Sequence, residues 1–253
     1  MVLYEALPLE AYHFLFVFAR IGAMVMVLPG FGETYVNTRI RLALAVLLTL
    51  VIQPIIPGLP ALPPAPLVLV GDIIPELLIG VALGLFVRVL LFTAQIAGTI
   101  ISMQVGLAMA MTFDPAQGVQ GALLGTFLTL LATVLVFTTG LYQTMLMGLV
   151  ASYDLAPAGE FLSVRDAAAA FVGFVAQIFR LAMQLAAPFL LFGFVFYVGI
   201  GILSKLMPQV QVFFIAIPAN LLLGHGILMI GVGALMLALF SAYERHLRLI
   251  FGV

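Results

Sequence analysis

Long apolar runs, separated by short clusters of proline, glycine and charged residues, dominate the pattern along this chain. Six of these runs are long enough for a helix to cross the hydrocarbon core of a bilayer, which takes roughly 20 residues. The pattern therefore predicts an all-α membrane protein with about six helical spans arranged as hairpins. The predicted spans are, to within a few residues, 12–28, 40–56, 67–94, 115–147, 167–202 and 212–240.

Two connectors between the spans have distinct chemistry. Half of the residues in 57–66 are proline, which favours a stiff, extended chain. The turn 204–211 is polar and carries Lys205, Pro208 and Gln209. Because short cytoplasmic loops are enriched in Lys and Arg, Lys205 predicts that this turn faces the cytoplasm.

Pairs of glycines four residues apart occur within two of the spans. Gly80 and Gly84 form such a pair in the third span, and Gly121 and Gly125 form another in the fourth. Small residues at this spacing let the backbone of a second helix approach closely. The sequence therefore predicts tight helix contacts at both pairs.

One stretch, residues 95–120, differs from its apolar neighbours because it is rich in glycine, methionine and glutamine. Asp114 suits the N-cap of a helix and Pro115 suits the first helical position. Proline also disfavours helical dihedrals in the residue before it. We therefore predict that the fourth span begins here and that the residues before Asp114 form a separate element.

The residues before that helix start suggest a soft apolar segment. Met109, Met111 and Phe113 alternate with small residues, and Gly98 and Gly106 permit bends of the backbone. Methionine adapts to irregular apolar contacts, and an apolar constriction can close a pore by dewetting. From the residues alone two interpretations stay open, a displaceable plug in a pore and a tightly packed helix.

Composition narrows the class of protein. Hydrophobic residues make up 65% of the chain and charged residues 8%, whereas a soluble domain has about 25% charged residues. The net charge of −1 gives no reason to expect a nucleic-acid partner, and the absence of cysteine excludes disulfides and thiolate metal sites. His13, His225 and His246 are far apart and form no ligand motif. We predict no enzymatic activity, no cofactor and no metal. The acidic N-terminus, without a basic segment, predicts that the first apolar run is kept as a helix.

Five charged residues lie well within the predicted spans, away from their first residues, where a charge costs about 2.5–3.5 kcal/mol even on a lenient scale. They are Arg20, Asp72, Glu76, Arg88 and Arg180. One interpretation is an ion-coupled secondary transporter that uses Asp72, Glu76 and Arg88 as a relay. A second interpretation is that several of these charges pair with each other. The interpretation that we favour is that these helices face protein rather than lipid and that the charges contact other subunits.

Several segments, in order and over some 190 residues, carry a family resemblance. The chain resembles the FliR/SctT family, the export-gate proteins of flagellar and injectisome type III secretion systems. The segments that match are 28–44, 76–84, 94–115, 185–191 and 207–218. The last of these is closer to the flagellar branch of the family.

The resemblance implies a fold and an assembly. Residues 1–166, which include the plug region 95–120, would resemble FliP, and residues 167–253 would form a hairpin and tail that resemble FliQ. The implied partners are FliP-like and FliQ-like subunits in a helical hetero-oligomer, together with FlhB, FlhA, membrane lipid and unfolded export substrates. The implied location is the bacterial inner membrane at the flagellar basal body.

The resemblance also implies a function, an export-gate subunit that helps to form and seal the channel for unfolded flagellar proteins. The plug would be residues 106–113, with Met109, Met111 and Phe113 as the seal and Gly106 as a hinge. An injectisome export gate, an ion-coupled transporter and a purely structural scaffold remain as alternatives.

Overall fold

A computed structural model describes residues 2–107, 123–159, 164–209 and 211–251. Within these ranges the regular structure is helical and no strand occurs, which confirms the predicted all-α class. The helices are α1 (Val2–Val27), α2 (Thr38–Ile52, followed by a 3₁₀ turn, Gln53–Ile55), α3 (Pro66–Gln104), α4 (Leu123–Thr138), α5 (Leu141–Leu155), α6 (Val164–Leu206) and α7 (Val212–Phe251).

The helices in the described part of the chain account for the predicted number of spans. Five of them, α1, α2, α3, α6 and α7, are long and apolar enough to cross a membrane, and α4 with α5 makes a sixth span if this bent pair is counted as one. Helix α3 has 39 residues and is therefore about 58 Å long, roughly twice the thickness of the hydrocarbon core. Its length alone indicates that α3 is more than a simple transmembrane span.

Three predicted boundaries were wrong. The third span does not end at residue 94 but continues as helix to Gln104. The single span predicted over 115–147 is broken at Thr139–Gly140, where Gly140 has a φ of +82° and the axes of α4 and α5 meet at 77°. The last span was predicted to end at residue 240, with the tail outside it, but the helix continues to Phe251.

Gly98, which the sequence identified as a position that permits a bend, lies at a helix contact. Gly98 lies inside α3, and a Cβ built on it would be 2.5 Å from the Cα of Gly125 in α4. A Cβ built on Gly125 would in turn lie 2.8 Å from the carbonyl oxygen of Gln95. Both glycines therefore allow two backbones to approach, as predicted for Gly125, and the helix continues past residue 94.

The chain forms two compact units, each made from separate segments. Unit 1 comprises Met1–Val89, Val136–Val175 and Glu244–Val253, and unit 2 comprises Leu90–Leu135 and Ala176–Tyr243. The predicted division into a FliP-like and a FliQ-like part concerns family resemblance rather than compactness, and it stays a prediction.

Unit 1 is built on the contact between α1 and α3. A Cβ on Gly80 would collide with the carbonyl oxygen of Arg20, and one on Gly84 would lie 2.9 Å from the Cβ of Val27. This is the close approach that the glycine spacing predicted. The contact brings the charged middle of α1 against the charged N-terminal half of α3.

Candidate functional site

Helix α3 ends in a glycine turn at the start of the predicted plug. The N–H of Val105 donates to the carbonyl of Ile101 at 2.9 Å, and the N–H of Gly106 donates to that of Met103 at 3.3 Å. Gly106 has a φ of +84°, in the left-handed region that a residue with a Cβ enters at a cost of about 1–2 kcal/mol. The chain therefore leaves α3 in a direction that favours glycine at this position.

The side chain of Asn220, from α7 in the same unit, closes this helix end. Its Nδ2 donates to the carbonyl oxygen of Gln104 at 3.0 Å and to the hydroxyl of Tyr197 at 3.4 Å. A Cβ built on Gly106 would lie 3.1 Å from the same nitrogen. Asn220 is only 3% exposed, and its Oδ1 has no hydrogen-bond partner among the described residues.

Two further glycines of unit 2 make room for the same helix end. A Cβ on Gly193 of α6 would collide with Oε1 of Gln104, and a Cβ on Gly224 of α7 would lie 2.7 Å from Cγ1 of Val105. The last turn of α3 thus fits into a site, here called the α3 socket, formed by Gly193, Tyr197, Asn220 and Gly224.

The predicted seal itself lies outside the described residues. This applies to Met109, Met111 and Phe113, and to Asp114 and Pro115 at the predicted helix start. Their roles stay predictions. What the structure adds is the geometry of Gly106, the first residue of the predicted plug.

Unit 1 contains a buried ion pair between α1 and α3. Nε of Arg20 donates to Oε2 of Glu76 at 2.5 Å, and Nη2 donates to Oε1 at 2.9 Å. The backbone N–H of Gly159 donates to the same Oε1 at 3.2 Å. The two side chains are 1% and 0% exposed. A buried charge is tolerated only when it is paired and hydrogen-bonded, and this geometry meets both conditions.

The end of α5 satisfies both N–H groups of Nη1 of Arg20. Nη1 donates to the carbonyl oxygens of Ser152 at 3.1 Å and Ala156 at 2.7 Å. The guanidinium carbon lies 4.0 Å from the ring centre of Tyr153, a cation–π distance. Carbonyls at a helix C-terminus carry partial negative charge, so this end of α5 suits a cation. We call Arg20, Glu76 and these partners the Arg20–Glu76 cluster.

Two other charges predicted within spans also have partners inside unit 1. Asp72 accepts a hydrogen bond from the hydroxyl of Tyr12 at 3.1 Å. Arg88 lies 3.4 Å from both the carbonyl oxygen of Val27 and the carboxylate of Glu33. The structure thus supplies intrachain partners for these groups, and contact with other subunits stays a prediction.

The remaining predicted site residues are exposed. Arg180 lies on the exposed side of α6, and Lys205, Pro208 and Gln209 are exposed at the turn that joins α6 to α7. Of the predicted turn 204–211, residues 204–206 belong to α6, and irregular backbone is found at 207–209 and 211. Exposure in a single chain is what a contact with another subunit requires.

Sequence reasoning missed most of the partners in these sites, and Asn220 and Tyr153 illustrate why. Asn220 is an amide within an apolar span, and polar residues in such spans are candidates for function, so a signal was present. Tyr153 and its contact with Arg20 had no such signal, because the two residues are distant in sequence and only the fold brings them together.

Comparison with known proteins agrees with this architecture. The family model for "Bacterial export proteins, family 1" matches residues 11–246. The chain is 36% identical to the flagellar biosynthetic protein FliR of Caulobacter vibrioides, over 96% of this chain and 97% of that protein. It is 30% identical to FliR of Pectobacterium carotovorum over 92% of this chain and 87% of that protein, and 30% identical to the surface presentation of antigens protein SpaR of Salmonella typhimurium over 79% and 75%. The chain therefore belongs to the bacterial export proteins, family 1, the family of the flagellar biosynthetic proteins FliR.

Proposed function

We propose that this chain is an export-gate subunit of the flagellar type III secretion apparatus and that it helps to form and seal a channel for unfolded flagellar proteins. The observation that carries the gate role is the turn at Gly106. A helix of 39 residues ends there in a left-handed glycine that α7 caps, directly before the apolar residues of the predicted plug.

The seal consists of Met109, Met111 and Phe113, and Gly106 acts as the hinge on which the segment is displaced. Methionine and phenylalanine at a constriction exclude water and so block ions, and the flexible methionine side chain closes around irregular shapes. In this proposal Asp114 and Pro115, the helix start predicted from the sequence, bound the segment.

The exposed faces of α6 and α7 support an assembly with other chains. In an apolar 18-residue stretch of each of these helices, 22% is buried within the chain, against 47% in such a stretch of α3. Faces of this kind need lipid or partner subunits to cover them. The proposed partners are FliP-like and FliQ-like subunits, FlhB and FlhA, and the proposed site of assembly is the inner membrane at the flagellar basal body. In the same proposal residues 1–166 are the FliP-like part and residues 167–253 the FliQ-like part.

Complementation tests the export role. A flagellated host bacterium lacking the host's own FliR gene expresses this chain. It also expresses the partner subunits from the organism that supplies this chain. Restored secretion of hook and filament subunits, and co-purification of the chain in one complex with FliP-like and FliQ-like subunits, are expected. A chain that purifies alone and transports a small solute in liposomes would contradict the proposal.

An injectisome export gate is the second candidate, because the chain is 30% identical to SpaR, a surface presentation of antigens protein. The flagellar function is favoured because the match to FliR of Caulobacter vibrioides is closer and covers more of both proteins. The complementation experiment separates the two, since an injectisome subunit is expected to leave flagellar secretion absent.

A further inference from the structure

We infer that Asn220 is a positioning residue for the gate, because its amide holds the end of α3 at Gly106 and so sets the direction in which the chain leaves that helix. This inference rests on the proposed function, since it assigns a control of the segment proposed to seal the channel. It concerns only residues of unit 2.

The first argument is the hydrogen bond itself. The last four carbonyls of a helix have no partner within the helix, and water, a cap or a side chain must satisfy them. Here the amide of Asn220, 116 residues further along the chain, donates to the carbonyl of Gln104. The group that caps the end of α3 therefore comes from α7 and not from a neighbouring residue in the sequence.

The second argument is the fit of the α3 socket. Gly193 and Gly224 each lack the side chain that would strike the last turn of α3, at Gln104 and at Val105. Contacts from two helices thus converge on three consecutive residues, Gln104, Val105 and Gly106. This fit positions the turn on both sides, and Asn220 supplies its polar contact.

The third argument is that the turn is not packed on every side. Gly106 and Asn220 border a small cavity, whose other lining residues are Phe196, Tyr197, Ile200, Ala216 and Ile217. Few side-chain contacts hold the turn where it borders this space, so the hydrogen bond from Asn220 to the carbonyl of Gln104 provides a larger share of what holds it in place. Loss of that bond should therefore release the turn without unfolding the unit, as a releasable latch requires.

The absence of cysteine from the chain provides a direct test. A single reporter, Leu107→Cys, is introduced beside Gly106, and its rate of reaction with a membrane-permeant maleimide is measured in the assembled membrane complex. In the Asn220→Leu background the rate should rise roughly five- to tenfold, which is the effect expected when a local structure loses one hydrogen bond.

Two controls separate latching from general destabilisation. Asn37→Ala removes the amide that caps α2, where Oδ1 of Asn37 accepts the N–H of Arg39 at 2.9 Å, and it should leave the Leu107→Cys rate unchanged. A second reporter, Ala182→Cys, lies fully buried on α6 in the same unit as Asn220. Its rate should not change in Asn220→Leu, whereas a general loosening of unit 2 would raise both rates.

The outcomes also separate this inference from the proposed function. An unchanged Leu107→Cys rate, or equal rises at both reporters, overturns the latch whatever the ion permeability of the complex. A selective rise at Leu107→Cys with no increase in resting ion leak supports the latch and counts against the seal. If Asn220→Leu fails to assemble, Asn220→Ser is measured in the same way, because its shorter hydroxyl does not reach the carbonyl of Gln104.

Discussion

The guanidinium of Arg20 meets the carboxylate of Glu76 through two hydrogen bonds, of 2.5 and 2.9 Å, at a place where neither side chain is more than 1% exposed. Breaking such a pair leaves one charge buried without its partner, which costs about 3–5 kcal/mol, whereas replacing both partners with apolar residues costs much less. The pair therefore makes the stability of unit 1 sensitive to single substitutions.

We expect Glu76→Leu and Arg20→Met each to lower the thermal midpoint of the purified complex by many degrees, and the double variant to be more stable than either single one. Thermal unfolding in detergent measures this. Glu244→Gln is the matched control, because it breaks an ion pair with Arg248 whose side chains are 46% and 62% exposed, and exposed pairs contribute at most about 1 kcal/mol. If the decrease in thermal midpoint of the double variant equals the sum of the two single decreases, the pairing is contradicted.

The contact between α1 and α3 makes a second prediction. Gly80→Ala adds a methyl group where the carbonyl oxygen of Arg20 already lies, and overpacking of this kind costs about 1–3 kcal/mol. Gly71→Ala, in the same helix, meets open space and should instead stabilise the helix by up to about 1 kcal/mol. The thermal midpoint should therefore fall for the first and stay level or rise for the second, and equal shifts would show that the close approach at Gly80 is wrong.

Gly106 provides a third prediction. Gly106→Ala places a Cβ in the left-handed region, 3.1 Å from Nδ2 of Asn220, and should reduce secretion of flagellar subunits in the complementation assay. Gly58→Ala bears the same kind of backbone strain at a φ of +72°, but in the proline-rich connector with nothing within 4 Å. Secretion should therefore fall in Gly106→Ala and stay at the native level in Gly58→Ala. An equal loss in both variants would show that backbone strain alone, and not the position of Gly106, causes the effect.

Some of these features followed from local sequence and others did not. The spacing of Gly80 and Gly84 predicted a helix contact because four residues bring both glycines to one face of a helix. The partner of Arg20 was not predictable, since Glu76 is 56 residues away and only the packing of α1 on α3 joins them. Charges within spans were interpreted as contacts with other subunits, and for four of the five, all except Arg180, the described part of the fold supplied a partner in the same chain.

The end of α3 shows a second limit of local reasoning. The third span was predicted to end near residue 94, but Gly98 packs on Gly125 and the helix continues to Gln104. The role of this glycine is set by a contact with a distant part of the chain. Gly106 does adopt a conformation that favours glycine. Only the tertiary structure shows that Asn220 closes that turn.

The central claim is that the predicted plug seals the channel, and the resting ion conductance of the assembled complex in a planar bilayer tests it most directly. Met109→Ala, Met111→Ala and Phe113→Ala together should raise the conductance several-fold without substrate, because smaller side chains let water and ions into the constriction. Met229→Ala, which shortens a methionine that is 80% exposed on α7, should leave it at the native level. A fully assembled triple variant whose conductance equals that of the native complex would contradict the account.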